Sequence, residues 1–173
     1  GLGLVMAGHS ERRHVFGETD IEENKKIKAA LKHGFTALLC IGETQEQKDY
    51  GISPEVLRSQ LKIGLHGIPS DQLHKLWIAY EPVWSIGING TPATPDYAES
   101  MHKIIKETLR ELFCEASEQI PVLYGGSVNS DNAEELIIQP SIDGLFTGRA
   151  AWDADKFNDL IRKAINAYRS CQK

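Results

Sequence analysis

The sequence predicts an α/β fold built on a parallel sheet, and three observations carry that prediction. Short apolar runs rich in branched residues recur along the chain; each gives way to a turn containing Gly or Ser; and each turn leads into an amphipathic helical pattern. The runs are apolar throughout and do not alternate, as expected of strands covered on both faces. Predicted strands cover residues 2–7, 36–41, 76–80, 121–124 and 144–146, and predicted helices cover 24–33, 54–65, 95–113, 131–138 and 155–167. Ser53-Pro54 and Thr94-Pro95 each read as an N-cap followed by a proline in the first turn, while Gly34 reads as a helix stop after His33. Five strand-helix units fit either a doubly wound sheet or a barrel, and in both the chemistry belongs at the carboxyl ends of the strands.

Composition narrows the functional classes. At 173 residues and 41% hydrophobic, a chain read as one domain over 1–173 hides roughly 70% of its unfolded surface. A net charge of -5, with acids and bases mixed along the chain, leaves no basic cluster to track a phosphate backbone, so no nucleic acid partner is expected. Cys40, Cys114 and Cys171 form no CxxC pair, which points to a reducing compartment and a cytoplasmic location. No apolar run reaches the roughly 18 residues a membrane span needs. The start on Gly1-Leu2-Gly3 lacks a signal peptide's charged region and a Met, and reads as a partial sequence.

Each strand ends on chemically distinctive residues. Glu81 follows Trp77-Ile78-Ala79-Tyr80 and precedes Pro82, so apolar neighbours would desolvate its carboxyl and make it a stronger base. The plainer alternative is a glutamate that only accepts bonds from loop amides. His9 stands between the first strand and Ser10-Glu11, a pattern suited to opening a helix whose N-terminal field disfavours imidazolium; its plainer role is to cap that turn. The other histidines, His14, His33, His66, His74 and His102, lack metal-ligand spacing and read as surface residues of helices or loops. Gly125-Gly126-Ser127 and Gly148-Arg149 offer unencumbered backbone amides at two successive strand ends, which suits a phosphate. Cys40, inside an apolar run, reads as a buried hydrophobe. Glu11 and Glu43 read as partners for Arg12 or lysines, with no catalytic role. The sequence has neither a GxSxG elbow nor a P-loop lysine motif, and no GxGxxG opens a helix.

Taken in order, GHSERRHVFGETD, CIGET, AYEPVW, YGGSV and NAEELI closely resemble the triosephosphate isomerase family across essentially the whole chain. The resemblance implies a TIM (β/α)8 barrel, usually a homodimer, that interconverts an aldose and a ketose phosphate without a cofactor or metal. It implies that Glu81 abstracts a proton beside the carbonyl while neutral His9 polarises the substrate oxygens, with Glu11 as a supporting polar residue. Loop 82–94 would be a closing lid, and Gly87, Gly126, Ser127, Gly148 and the amide of Arg149 would hold the substrate phosphate. It also implies that five of eight β/α units are present. The family's Asn-x-Lys strand end has no counterpart, since Asn24-Lys25-Lys26 falls inside a predicted helix, and the expectation is that these residues alone do not form a soluble, active enzyme. The lid, Ser85 to Pro95, is one residue longer than the family's usual AIGTGKTATP and has no lysine; Gly148-Arg149 replaces the usual glycine pair. Both differences bear on the ligand and raise a second substrate, a tetrulose phosphate, beside the triose phosphates; the third alternative is a non-catalytic fragment.

Overall fold

The computed structural model describes residues 1–87 and 90–171. Along the chain the elements are β1 (Leu4–Ala7), α1 (Ser10–His14), α2 (Asp20–Lys32), β2 (Thr36–Ile41), α3 (Gln45–Asp49), α4 (Ser53–Gly64), β3 (Leu76–Tyr80), α5 (Pro95–Phe113), β4 (Val122–Tyr124), α6 (Ala133–Ile137), β5 (Gly144–Leu145) and α7 (Ala154–Cys171). The five strands form one parallel sheet in the order β1-β2-β3-β4-β5. A doubly wound sheet reverses its strand order at a switch point. This sheet never does, so every crossover runs the same way and the helices pack on one face.

Packing shows the same one-sidedness. Ala37, Leu39 and Ile41 of β2, with Leu76, Ile78 and Tyr80 of β3, enter the main core together with Ile27, Leu61 and Ile105 of the helices. The alternate residues Leu38, Cys40 and Ala79 form a small separate cluster with Trp77, Leu123 and Phe146 on the other face. A sheet with a helix-covered outer face and a strand-lined inner one is a wall of a (β/α) barrel, which resolves the choice the sequence left open.

Local chemistry sets most boundaries. Thr19 and Glu22 close a capping box that starts α2 four residues before the sequence pattern does, because the acid-rich first turn Asp20 to Glu23 is itself helical. A second box, Thr44 with Gln47, starts α3. Thr94 caps α5 through the Tyr97 amide, whereas Ser53 is not a cap. It is the first residue of α4, the cap position is Ile52, and the Ser53 hydroxyl is used instead on Tyr97 Oη at 3.1 Å. Gly34 takes φ +82° after α2, as a helix stop requires. α6 is shorter than its sequence pattern. Asn132 bonds the Asn129 amide and the Ser127 carbonyl while Asn129 bonds the Asp131 amide, so side chains satisfy backbone groups that a longer helix would use.

Candidate active site

Glu81 emerges from β3 with its amide donating to the Ile41 carbonyl at 2.7 Å, so the ladder holds its backbone rigidly. Gly42 makes that approach possible: a Cβ there would lie 1.9 Å from the Glu81 carbonyl oxygen. The side chain is only 3% exposed. One carboxylate oxygen, Oε2, is buried without a hydrogen-bond partner, while Oε1 lies 3.3 Å from His9 Nε2. Burial pushes the Glu81 carboxyl above the usual carboxylate range; nearby His9, Arg13, the Cys40 thiol and the Ser10 amide oppose the shift without cancelling it.

His9 caps its turn, the plainer of the two roles open to it in the sequence. As N-cap of α1, its Nδ1 accepts from the Glu11 amide at 3.3 Å. A ring nitrogen that accepts carries no proton, so the ring proton sits on Nε2, facing Glu81. Arg13 braces the turn. It donates to the Gly8 carbonyl at 2.7 Å and the Cys40 carbonyl at 3.0 Å, and pairs with Asp20 at 2.5 Å, tying β1, β2 and α2 together beneath the imidazole. Gly8 turns there at φ +79°, and a Cβ would meet the Cys40 carbonyl at 2.7 Å.

His9, Glu11 and Glu81 line a cavity of about 750 Å³ together with Gly87, Gly126, Ser127, Gly148 and Arg149. The eight residues that the resemblance assigned to the site therefore line one cavity, whereas Cys40 and Glu43 lie away from it. Asn129, Trp152 and Lys156 also line it and were not singled out, since their loop and helix patterns carried no site signal; Phe146 lines it from the end of the strand predicted over 144–146. Of the lid span 82–94, Ile88 and Asn89 lie outside the described residues.

Three sequence expectations are corrected. Among the described residues Glu43 pairs with no Arg or Lys; it is fully buried and accepts from Tyr80 Oη at 3.0 Å, Trp84 Nε1 at 2.8 Å and Tyr97 Oη at 2.8 Å. Burial raises the Tyr97 phenol to about 12, so it remains a donor. Lys48 instead lies over the Trp84 ring, 3.3 Å from its centroid. Glu11 does not pair with Arg12, which binds Glu18. His102 is not a surface residue; it is fully buried against Tyr80 and Tyr124, and donates from Nδ1 to the Ser141 carbonyl at 3.1 Å. Burial lowers its pKa to about 3, so the ring is neutral. The signal for the Glu43 cluster was present in the aromatic N–H and O–H groups flanking the lid, each of which needs a partner once buried. Cys40 is the buried hydrophobe the sequence predicted, its thiol pushed well up by burial and then by the charge of Glu81. Among the described residues no His, Cys, Asp and Glu cluster could hold a metal, and no helix is long and apolar enough to cross a membrane.

A barrel wall with an acid, an imidazole and glycine-rich turns gathered at the carboxyl ends of its strands defines a (β/α)-barrel protein with a small-ligand site. The chain belongs to the triosephosphate isomerase family, whose sequence model matches residues 1–164. It is 48% identical over 167 residues to an L-erythrulose-1-phosphate isomerase of Rhizobium etli, covering 96% of this chain and 61% of that protein. It is 46% identical over 162 residues to a triosephosphate isomerase of Roseiflexus sp., covering 93% and 63%, and 44% identical over 163 residues to one of Acetivibrio thermocellus, covering 94% and 64%. The chain thus spans somewhat over six-tenths of the length of these relatives.

Proposed function

We propose that this chain carries the acid-base centre of a cofactor-independent sugar-phosphate isomerase. The observation that supports the reading most directly is the buried, partly unpartnered Glu81 carboxylate 3.3 Å from His9 Nε2 at the wall of the cavity. In this reading Glu81 takes the proton from the carbon beside the substrate carbonyl. The bond electrons move to the carbonyl oxygen, which His9 Nε2–H stabilises as the enediolate forms. The neighbouring hydroxyl passes its proton to that oxygen by way of His9, and Glu81 returns the carbon-bound proton to the former carbonyl carbon, so that ketose becomes aldose with no net change in atoms or electrons. Gly87, Gly126, Ser127, Gly148 and the Arg149 amide hold the phosphate, Glu11 supports the polar wall, and the lid excludes water.

The substrate in this reading is the pair dihydroxyacetone phosphate and glyceraldehyde 3-phosphate. Arg149 favours a second reading, a tetrulose phosphate such as an erythrulose phosphate, because its side chain changes the cavity wall where the family pattern has glycine. The family's homodimer and a cytoplasmic location belong to the same proposal. The test uses a full-length chain in deuterated water, with mass spectrometry of exchange at the carbon beside the carbonyl and kcat/KM for triose and tetrulose phosphates. Exchange and turnover that disappear in Glu81→Gln support the reading; turnover that survives that substitution overturns it. The larger kcat/KM identifies the substrate.

A further inference from the structure

Arg149 does more in the structure than supply a backbone amide. Its Nη2 donates to the carbonyl oxygen of Gly87 at 2.5 Å, across 62 residues of sequence, joining the wall of the cavity to the lid. Gly87 sits at φ +92°, a backbone state that L side chains rarely adopt. Among the described residues Arg149 forms no ion pair, and neither does Lys156, the other cation on the cavity wall, whereas Arg12, Arg13, Lys26, Arg58, Lys106 and Arg110 all do. A guanidinium has five N–H donors in a rigid plane, and the bond to Gly87 uses only one of those donors. The rest remain available to an anion in the cavity.

We propose that Arg149 is a side-chain ligand of the substrate phosphate that also clasps the lid, its guanidinium bridging the Gly87 carbonyl and the phosphate dianion with Lys156 as a second cation. The proposal rests on the sugar-phosphate reading above. One group held between two acceptors couples them: bound phosphate fixes the guanidinium, the fixed guanidinium holds the lid, and by linkage a held lid tightens phosphate binding. Lysine cannot substitute fully, because an ammonium lacks the planar fork that addresses both acceptors at once.

The test uses full-length wild type, Arg149→Met, Arg149→Lys and Lys156→Gln, with inorganic phosphate as the probe. Arg149 is exposed, so its variants are expected to fold, and thermal melts check this. Expected for Arg149→Met is a competitive inhibition constant for phosphate weakened ~10- to 100-fold, the range set by one charge-assisted hydrogen bond. Deuterium uptake of the 86–94 segment is expected to slow with saturating phosphate in wild type and not in Arg149→Met. Arg149→Lys is expected to recover most of the inhibition but not the lid protection, and Lys156→Gln to weaken inhibition while leaving lid protection at saturation. Wild-type inhibition and lid protection in Arg149→Met would overturn the clasp. A wild type that is inactive and indifferent to phosphate would instead overturn the sugar-phosphate reading, and the clasp with it.

Discussion

An ionised Glu81 is a burden on the fold that carries it. Its folded pKa is raised above the unfolded value, so the folded state holds this proton more tightly than the unfolded chain does. Stability from this group therefore falls as pH rises from the ordinary carboxylate range through the folded pKa, and the full penalty applies above it. Glu81→Gln is accordingly expected to melt at a higher temperature than wild type at neutral pH, with the gap closing as pH falls below the ordinary carboxylate range; an unchanged gap across that window would refute the assignment. Under the proposed function the same group predicts the pH-rate profile. kcat/KM should rise with pH as Glu81 ionises, with an apparent pKa above that of an ordinary glutamate, and Glu81→Gln should lose ~10²- to 10⁴-fold in rate. Glu81 and His9 were legible in the sequence because each is placed by a strand end beside it in the chain. His102 and Glu43 were not, because their burial is decided by residues far away: Ser141 faces His102 across 39 positions, and Tyr97 faces Glu43 across 54.

At the scale of elements, Glu43 joins the two roots of the lid. Trp84 stands where the loop leaves Glu81, in a short 3-10 turn over Val83–Ser85, and Tyr97 stands in the first turn of α5 where the loop ends; both donate to the same buried carboxylate. A loop whose two ends share one acceptor has those ends held in fixed relation to each other. Glu43→Leu leaves the donors of Tyr80, Trp84 and Tyr97 without their acceptor and is expected to destabilise the protein by ~3 kcal/mol, read from the urea midpoint. Trp84→Phe removes one donor together with its need for a partner, and is expected to cost less, about 1 kcal/mol. Equal costs would show that Glu43 is not the shared anchor. The long elements were legible because periodicity over many residues averages out local noise: α5 runs over Pro95–Phe113 as the pattern predicts. Of the five-residue α1 only the start was legible, in Ser10-Glu11, and α3 was not read at all, since one turn of helix is held by its cap and its neighbours more than by its own composition.

For the whole molecule, adjacent residues of one strand belong to different structures. Leu38 and Leu39 follow each other in β2 and are buried alike, at 3% and 0% exposed, yet the pleat sends them to opposite faces. Leu39 enters the helix-covered core, where it lies directly over α4: a Cβ on Gly64 would come within 2.8 Å of its Cδ2. Leu38 belongs to the small inner cluster with Cys40 and Ala79, beneath the partly exposed Trp77, Leu123 and Phe146. A barrel wall of this kind takes its stability from the layer between sheet and helices, and the inner layer gains in proportion to what closes over it. Burial fraction alone predicts the same cost for truncating either leucine. The two-layer arrangement predicts different costs: Leu39→Ala leaves a cavity walled by strand and helix that cannot collapse, at about 4 kcal/mol, whereas Leu38→Ala leaves a gap the neighbouring side chains can relax into, at about 2 kcal/mol. Urea unfolding of the two variants decides between these accounts, and a Leu38→Ala cost equal to or above that of Leu39→Ala would place the stabilising core on the inner face instead.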